Sequence, residues 1–169
     1  YLPAEPLLGF VEIPAGPFQM GKGREQHSID LPTFYIARYP VTVAQFRAYV
    51  EASGHQPGDP DALRDSDTRP VRWVNWYEAL AYCDWLTETL KNWPHTPAPL
   101  AQRLAQGWRF TLPSEAQWEK AARGPSAGSG RGYGGRTFPW GNEPDPNKAN
   151  YGETGIGDTS AVGCFPGGA

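Results

Sequence analysis

Scarcity sets the first limits on this chain. Cysteine occurs twice, at positions 83 and 164, and histidine three times. Two thiols cannot build a disulfide framework, although one disulfide between Cys83 and Cys164 stays open. No apolar run reaches the length of a bilayer span. No block of basic residues forms a stripe, and a net charge of -3 with pI near 5.6 gives no general pull toward nucleic acid. No internal repeat and no signal-peptide pattern is visible, and the chain begins at Tyr1 without Met. The expectation is a trimmed N-terminus, with localisation left unknown.

What is abundant points the other way. There are 20 Gly and 18 Pro in 169 residues, against roughly 20 of both together at average usage. That many breakers excludes a helical bundle. Seven Trp, eight Tyr and seven Phe exclude disorder, because large rings can fill a core between loops. The composition predicts one loop-rich α+β domain over 10–169, with little regular secondary structure. Residues 1–9 are expected to be an extension or linker.

Local patterns divide the chain further. Phe10 to Met20 (FVEIPAGPFQM) predicts two short strands joined by a tight turn, and Leu31 to Tyr39 a further strand with Phe34 and Ile36 on one face. Val71 to Val74, Trp108 to Leu112 and Val162 to Phe165 are shorter strand candidates. Three helix starts share one signature: Thr42 with Gln45, Asn75 with Glu78, and Ser114 with Gln117. In each, a polar cap is followed three residues later by a side chain that can reach back to it. The first helix is expected to stop near Gly54 and the second before Pro94, with Ala79, Tyr82, Cys83, Leu86 and Leu90 as its apolar stripe. The third is expected to bury Ala116, Trp118, Ala121 and Ala122. Gly124 to Gly135 (GPSAGSGRGYGG) has the composition of a mobile surface loop and lacks the GK[ST] ending of a phosphate-binding loop.

Five stretches occur in a fixed order: FVEIPAGPFQMG, FYIARYPVTVAQFRAYV, RPVRWVNWYEALAYCDWL, WRFTLPSEAQWEKAARG, and FPWGN with KANYG. Together they resemble the formylglycine-generating-enzyme (FGE-sulfatase) family, whose fold is a loop-rich variant of the C-type lectin fold. The resemblance runs from about Phe10 to Phe165. That family mixes cysteine-to-formylglycine oxidases, iron-dependent sulfoxide synthases, kinase-appended domains, and the variable proteins of diversity-generating retroelements. It implies that the early strands and helices are scaffold. It also implies that the oxidase's catalytic cysteine pair follows the VGCFP-type segment, so this chain is expected to be incomplete at its C-terminus.

Neither cysteine carries the oxidase pattern. Cys83 sits in the apolar stripe of a helix, where a buried, inert thiol is expected, and Cys164 lies in VGCFP. Copper is therefore not expected on this chain, and no catalytic residue is assigned. His27, His55 and His95 are scattered and suggest no metal site. Ser114 is explained as a cap rather than a nucleophile. Trp118 and Trp140 are expected in the core, and Asp67 beside Arg69 suggests an ion pair. The resemblance places a structural Ca²⁺ at Asn150 and Asp158, with backbone carbonyls of Tyr151 and Ser160, an all-oxygen set suited to a hard cation.

The leading expectation is a non-catalytic scaffold presenting a protein or small-molecule ligand surface, such as a retroelement variable protein. The alternatives are a formylglycine-generating oxidase whose catalytic part lies outside this chain, or a regulatory module of a larger enzyme. The expected partner in every case is the C-terminal remainder of the same fold.

Overall fold

The computed structural model describes residues 5–124 and 136–168. The Gly/Ser/Arg-rich loop, apart from Gly124, lies outside the described residues. Four strands precede four helices: β1 (Phe10–Ile13), β2 (Gly16–Met20), β3 (His27–Leu31), β4 (Phe34–Ala37), α1 (Val43–Ser53), α2 (Trp76–Asn92), α3 (Ala98–Ala105) and α4 (Glu115–Arg123). The class is α+β and loop-rich, as the composition implied. The described residues divide into two compact units.

The first unit holds residues 5–9, 39–112 and 159–164, and contains α1, α2 and α3. Each predicted start in it is realised as a capping box. The Thr42 hydroxyl accepts from the Gln45 amide while the Gln45 side chain accepts from the Thr42 amide. Asn75 and Glu78 repeat the arrangement on α2. Such a cap contributes about 1 kcal/mol. Gly54 ends α1 in the left-handed region at φ 72°, the conformation that glycine adopts without a Cβ penalty.

Between these helices lies the unit's core: Phe46 and Tyr49 of α1, Tyr82, Leu86 and Leu90 of α2, and Leu100 and Leu104 of α3. Tyr49 meets Tyr82 edge-on at 5.9 Å and Phe46 at 5.5 Å, the tilted geometries that ring quadrupoles favour. Leu8 is buried in the same cluster, so the end of the expected N-terminal extension is a packed segment. The helix α3 was not anticipated; Pro99 within its first turn supplies a fixed φ without costing a helical bond.

Three strand expectations fail, each for a local reason. Around 71–74, Val71 donates to the Val41 carbonyl, but Trp73 turns into the left-handed region at φ 60° and ends the extended run. Around 108–112, the Phe110 amide donates to the Thr87 hydroxyl and the Trp108 amide to the Arg103 carbonyl, so a helix takes the bonds a ladder would need. Around 162–165, Val162 bonds the Thr68 carbonyl and Gly163 then reverses the chain at φ 81°.

The second unit holds residues 10–38, 113–124, 136–158 and 165–168. Its strands form two antiparallel pairs, β1 with β4 and β2 with β3. The expected strands β1 and β2 are present but do not pair with each other. Phe10 faces Ala37 across one ladder and Phe18 faces Ile29 across the other. Phe18 is fully buried, and burying such a ring contributes about 1.5–3 kcal/mol.

The helix α4 starts at the predicted Ser114 capping box, but its buried face differs from the expected stripe. Trp118 is 62% exposed, and the residue with no exposure at all is Lys120. The Lys120 ammonium donates to the carbonyls of Pro14 and Gly16, both at 2.8 Å. One turn away, Glu119 pairs with Arg123 at 2.7 Å; Glu119 accepts from the Gly21 amide while Arg123 donates to the Gly21 carbonyl. The polar letters of WEKAAR thus grip the two ends of β2. Gly21 must be glycine there, since its φ is 82° and a Cβ would stand 2.8 Å from the Glu25 carbonyl oxygen.

Candidate functional site

In the second unit, the FPWGN and KANYG segments form one self-braced loop region. The Phe138 and Trp140 rings stack at 5.2 Å with 6° between planes, and Phe138 and Gly141 exchange backbone bonds. The Trp140 indole donates to the Glu143 carbonyl, and the Asn142 side-chain oxygen accepts from the Thr137 amide. Trp140 is therefore half-buried against a neighbouring ring. Asp145 accepts from the Asn147 amide, which holds its carboxyl below the usual range, with Lys148 at 3.7 Å adding to the effect. A shallow cleft of about 290 Å³ opens here, lined by Trp140, Asn142, Glu143, Asp145 and Lys148. Gly168 passes close by, where a Cβ would clash with the Lys148 carbonyl oxygen.

Of the four expected calcium ligands, Asn150, Tyr151 and Asp158 belong to the second unit and Ser160 to the first. Asn150 and Asp158 meet, the Asn150 side-chain amide donating to the Asp158 carbonyl at 2.7 Å. Between them Thr154 ties the loop, accepting from the Tyr151 amide and donating to the Ala149 carbonyl. This closes the loop on its own side chains without a ladder, the kind of irregular backbone that can present oxygens.

The first unit carries Glu78, His55, His95 and both cysteines. Glu78 is 6% exposed. Burial pushes its pKa up, but the Asn75 and Gly58 amides and His55 outweigh burial and hold it below its ordinary value. One carboxylate thus closes the α2 cap and, at 2.8 Å and 3.2 Å, holds Gly58 and His55. His55 stacks on Tyr49 at 5.1 Å. His27 contacts the Glu25 carbonyl through Nδ1, in the other unit, and His95 lies edge-on to Trp93. The three histidines are on separate elements. Among the described residues, no group of three or more His, Cys, Asp or Glu side chains is placed to hold a metal.

Both cysteines are free thiols. Burial raises the Cys83 pKa, and Asp84 raises it further, which keeps the thiol protonated and weakly nucleophilic. Tyr82 beside it is pushed up to about 12, by burial first and by Cys83 second. Cys164 is exposed. The Ser114 hydroxyl accepts from the Gln117 amide, as a cap should. Asp67 takes Arg47 as its ion-pair partner and also accepts from the Ala44 amide through its carbonyl. Arg72 pairs with Asp65 at 2.7 Å and lies 5.9 Å from the Trp73 ring.

Two features escaped the sequence reading. Nothing in the local sequence marks Lys120, and only the packing of α4 against the β1–β2 turn shows its role. Trp73, Trp76 and Tyr77, to which the sequence assigned no role, are 57%, 61% and 77% exposed.

The family model for the sulfatase-modifying factor enzyme 1-like domain matches residues 3–167. The chain belongs to the FGE-sulfatase family. The C-type lectin-like fold of that family fits the loop-rich α+β architecture. Hercynine oxygenase of Mycolicibacterium smegmatis is 30% identical to this FGE-sulfatase chain over 205 residues, covering 94% of it and 41% of the oxygenase. The formylglycine-generating enzyme of Mycobacterium tuberculosis is 27% identical over 214 residues, covering 95% of this chain and 68% of that enzyme. Serine/threonine-protein kinase Pkn1 of Chlamydia trachomatis is 29% identical over 188 residues, covering 96% of this chain and 25% of the kinase. The chain spans about a quarter of the first relatives' own length. These relatives favour the oxidase alternative over a retroelement variable protein, a reading that gains no support from them.

Proposed function

We propose that this chain is the scaffold portion of an oxidative enzyme of the FGE-sulfatase family, of the kind represented by formylglycine-generating enzyme and hercynine oxygenase. The observation that carries this reading is that enzymes of both names align with 94–95% of the chain. The geometry agrees with a supporting role. The polar residues of its most specific motif are engaged in holding backbone: Ser114 and Gln117 close a cap, and Glu119, Lys120 and Arg123 hold β2. In this reading the reacting groups are supplied by further residues of the same fold. The test uses the full-length protein that carries this chain, loaded in turn with copper and with iron. It is offered a cysteine peptide of sulfatase type or hercynine, and products are read by mass spectrometry. With dioxygen as the oxidant and a thiol present as co-reactant, aldehyde formation on the peptide, with loss of its sulfur, or oxygenation of hercynine is expected. Failure of both with correctly folded, metal-loaded protein refutes the proposal and favours a regulatory module of a larger enzyme.

The loop at Asn150, Tyr151 and Asp158 is proposed to hold a structural Ca²⁺. Support comes from the loop itself, which brings Asn150 next to Asp158 and has the irregular backbone whose carbonyls a hard cation can use. Calcium should raise the melting temperature, EDTA should reverse the rise, and Asp158→Ala should abolish it. An unchanged melt across millimolar calcium would overturn the assignment.

A further inference from the structure

We draw no further inference here: the strongest candidate, the exposed aromatic face of Trp73, Trp76 and Tyr77 at the start of α2, carries nothing because nothing in the structure shows what covers it.

Discussion

Replacing Lys120 with Met isolates the contribution of one buried ammonium. Methionine matches the aliphatic stem, so the fully buried site loses little packing beyond the ammonium itself. What disappears is the charge and its two 2.8 Å bonds to the Pro14 and Gly16 carbonyls. Hydrogen bonds to a charged group contribute about 1.5–3 kcal/mol each. The cost of burying the ammonium offsets part of the pair, and the expected net loss is about 2–4 kcal/mol. Urea unfolding at neutral pH reads this as a lower midpoint at unchanged slope. Burial lowers the Lys120 pKa from its ordinary 10.5, and Asp30 only partly restores it. Between the folded value and 10.5 the unfolded chain binds more protons, so this group's contribution to stability rises with pH. Lys120→Met lacks that rise, and the gap between native and variant should widen as pH is raised toward 10.5. A loss under about 0.5 kcal/mol, well below the hydrogen-bond estimate, would refute the clamp, whereas a gap that narrows with pH would show that the two bonds to the ammonium outweigh its burial.

Glu78→Gln should cost about 2 kcal/mol, because an amide NH₂ then confronts one of the backbone donors from Asn75 or Gly58. The Glu78 pKa is held low, so its contribution is fully present above about 4.5 and is lost as pH falls through the folded value. Native and variant melting temperatures should therefore converge on acidification, and parallel curves would contradict the assignment. Trp73 holds a left-handed conformation that costs a residue with a Cβ about 1–2 kcal/mol, and most of all one branched at Cβ. Because native Trp73 already carries that cost, Trp73→Val should be no more stable than native in chemical denaturation, whereas Trp73→Asn should gain up to about 1 kcal/mol, since asparagine tolerates the region and the exposed contact with Arg72 is weak. Equal losses in the two variants would show that side-chain contacts, not backbone strain, decide the position.

How much of this was legible in the sequence depends on how far each decision reaches along the chain. All three capping boxes were visible because a cap is settled within four residues. Gly54 and Gly124 stopped their helices for equally local reasons. Strands were harder, since pairing is settled between distant segments. The tight spacing of β1 and β2 suggested a hairpin, yet their partners are β4 and β3. The buried face of α4 was misjudged because hydrophobic periodicity rewards Trp118 and treats lysine as solvent-facing. No periodicity rule records that two carbonyls 104 and 106 residues away are waiting for a donor. The candidate calcium loop was legible only through resemblance, because spacing alone does not distinguish a turn-capping Asn or Asp from a ligand.

The same physics explains why this chain declares its family so plainly and its chemistry so little. A motif is specific when each of its polar positions has a fixed geometric duty, whatever that duty is. In LPSEAQWEKAARG the duties found here are structural: a serine–glutamine cap, an ion pair on Gly21, and an ammonium on the β1–β2 turn. None needs a substrate in order to be required. A protein that lost catalysis but kept the fold would still have to keep them, so the motif is equally compatible with an enzyme and with the domain shared by a kinase relative. Discrimination therefore has to come from residues that the fold does not use, and exposed groups without a structural duty are where that difference is to be sought.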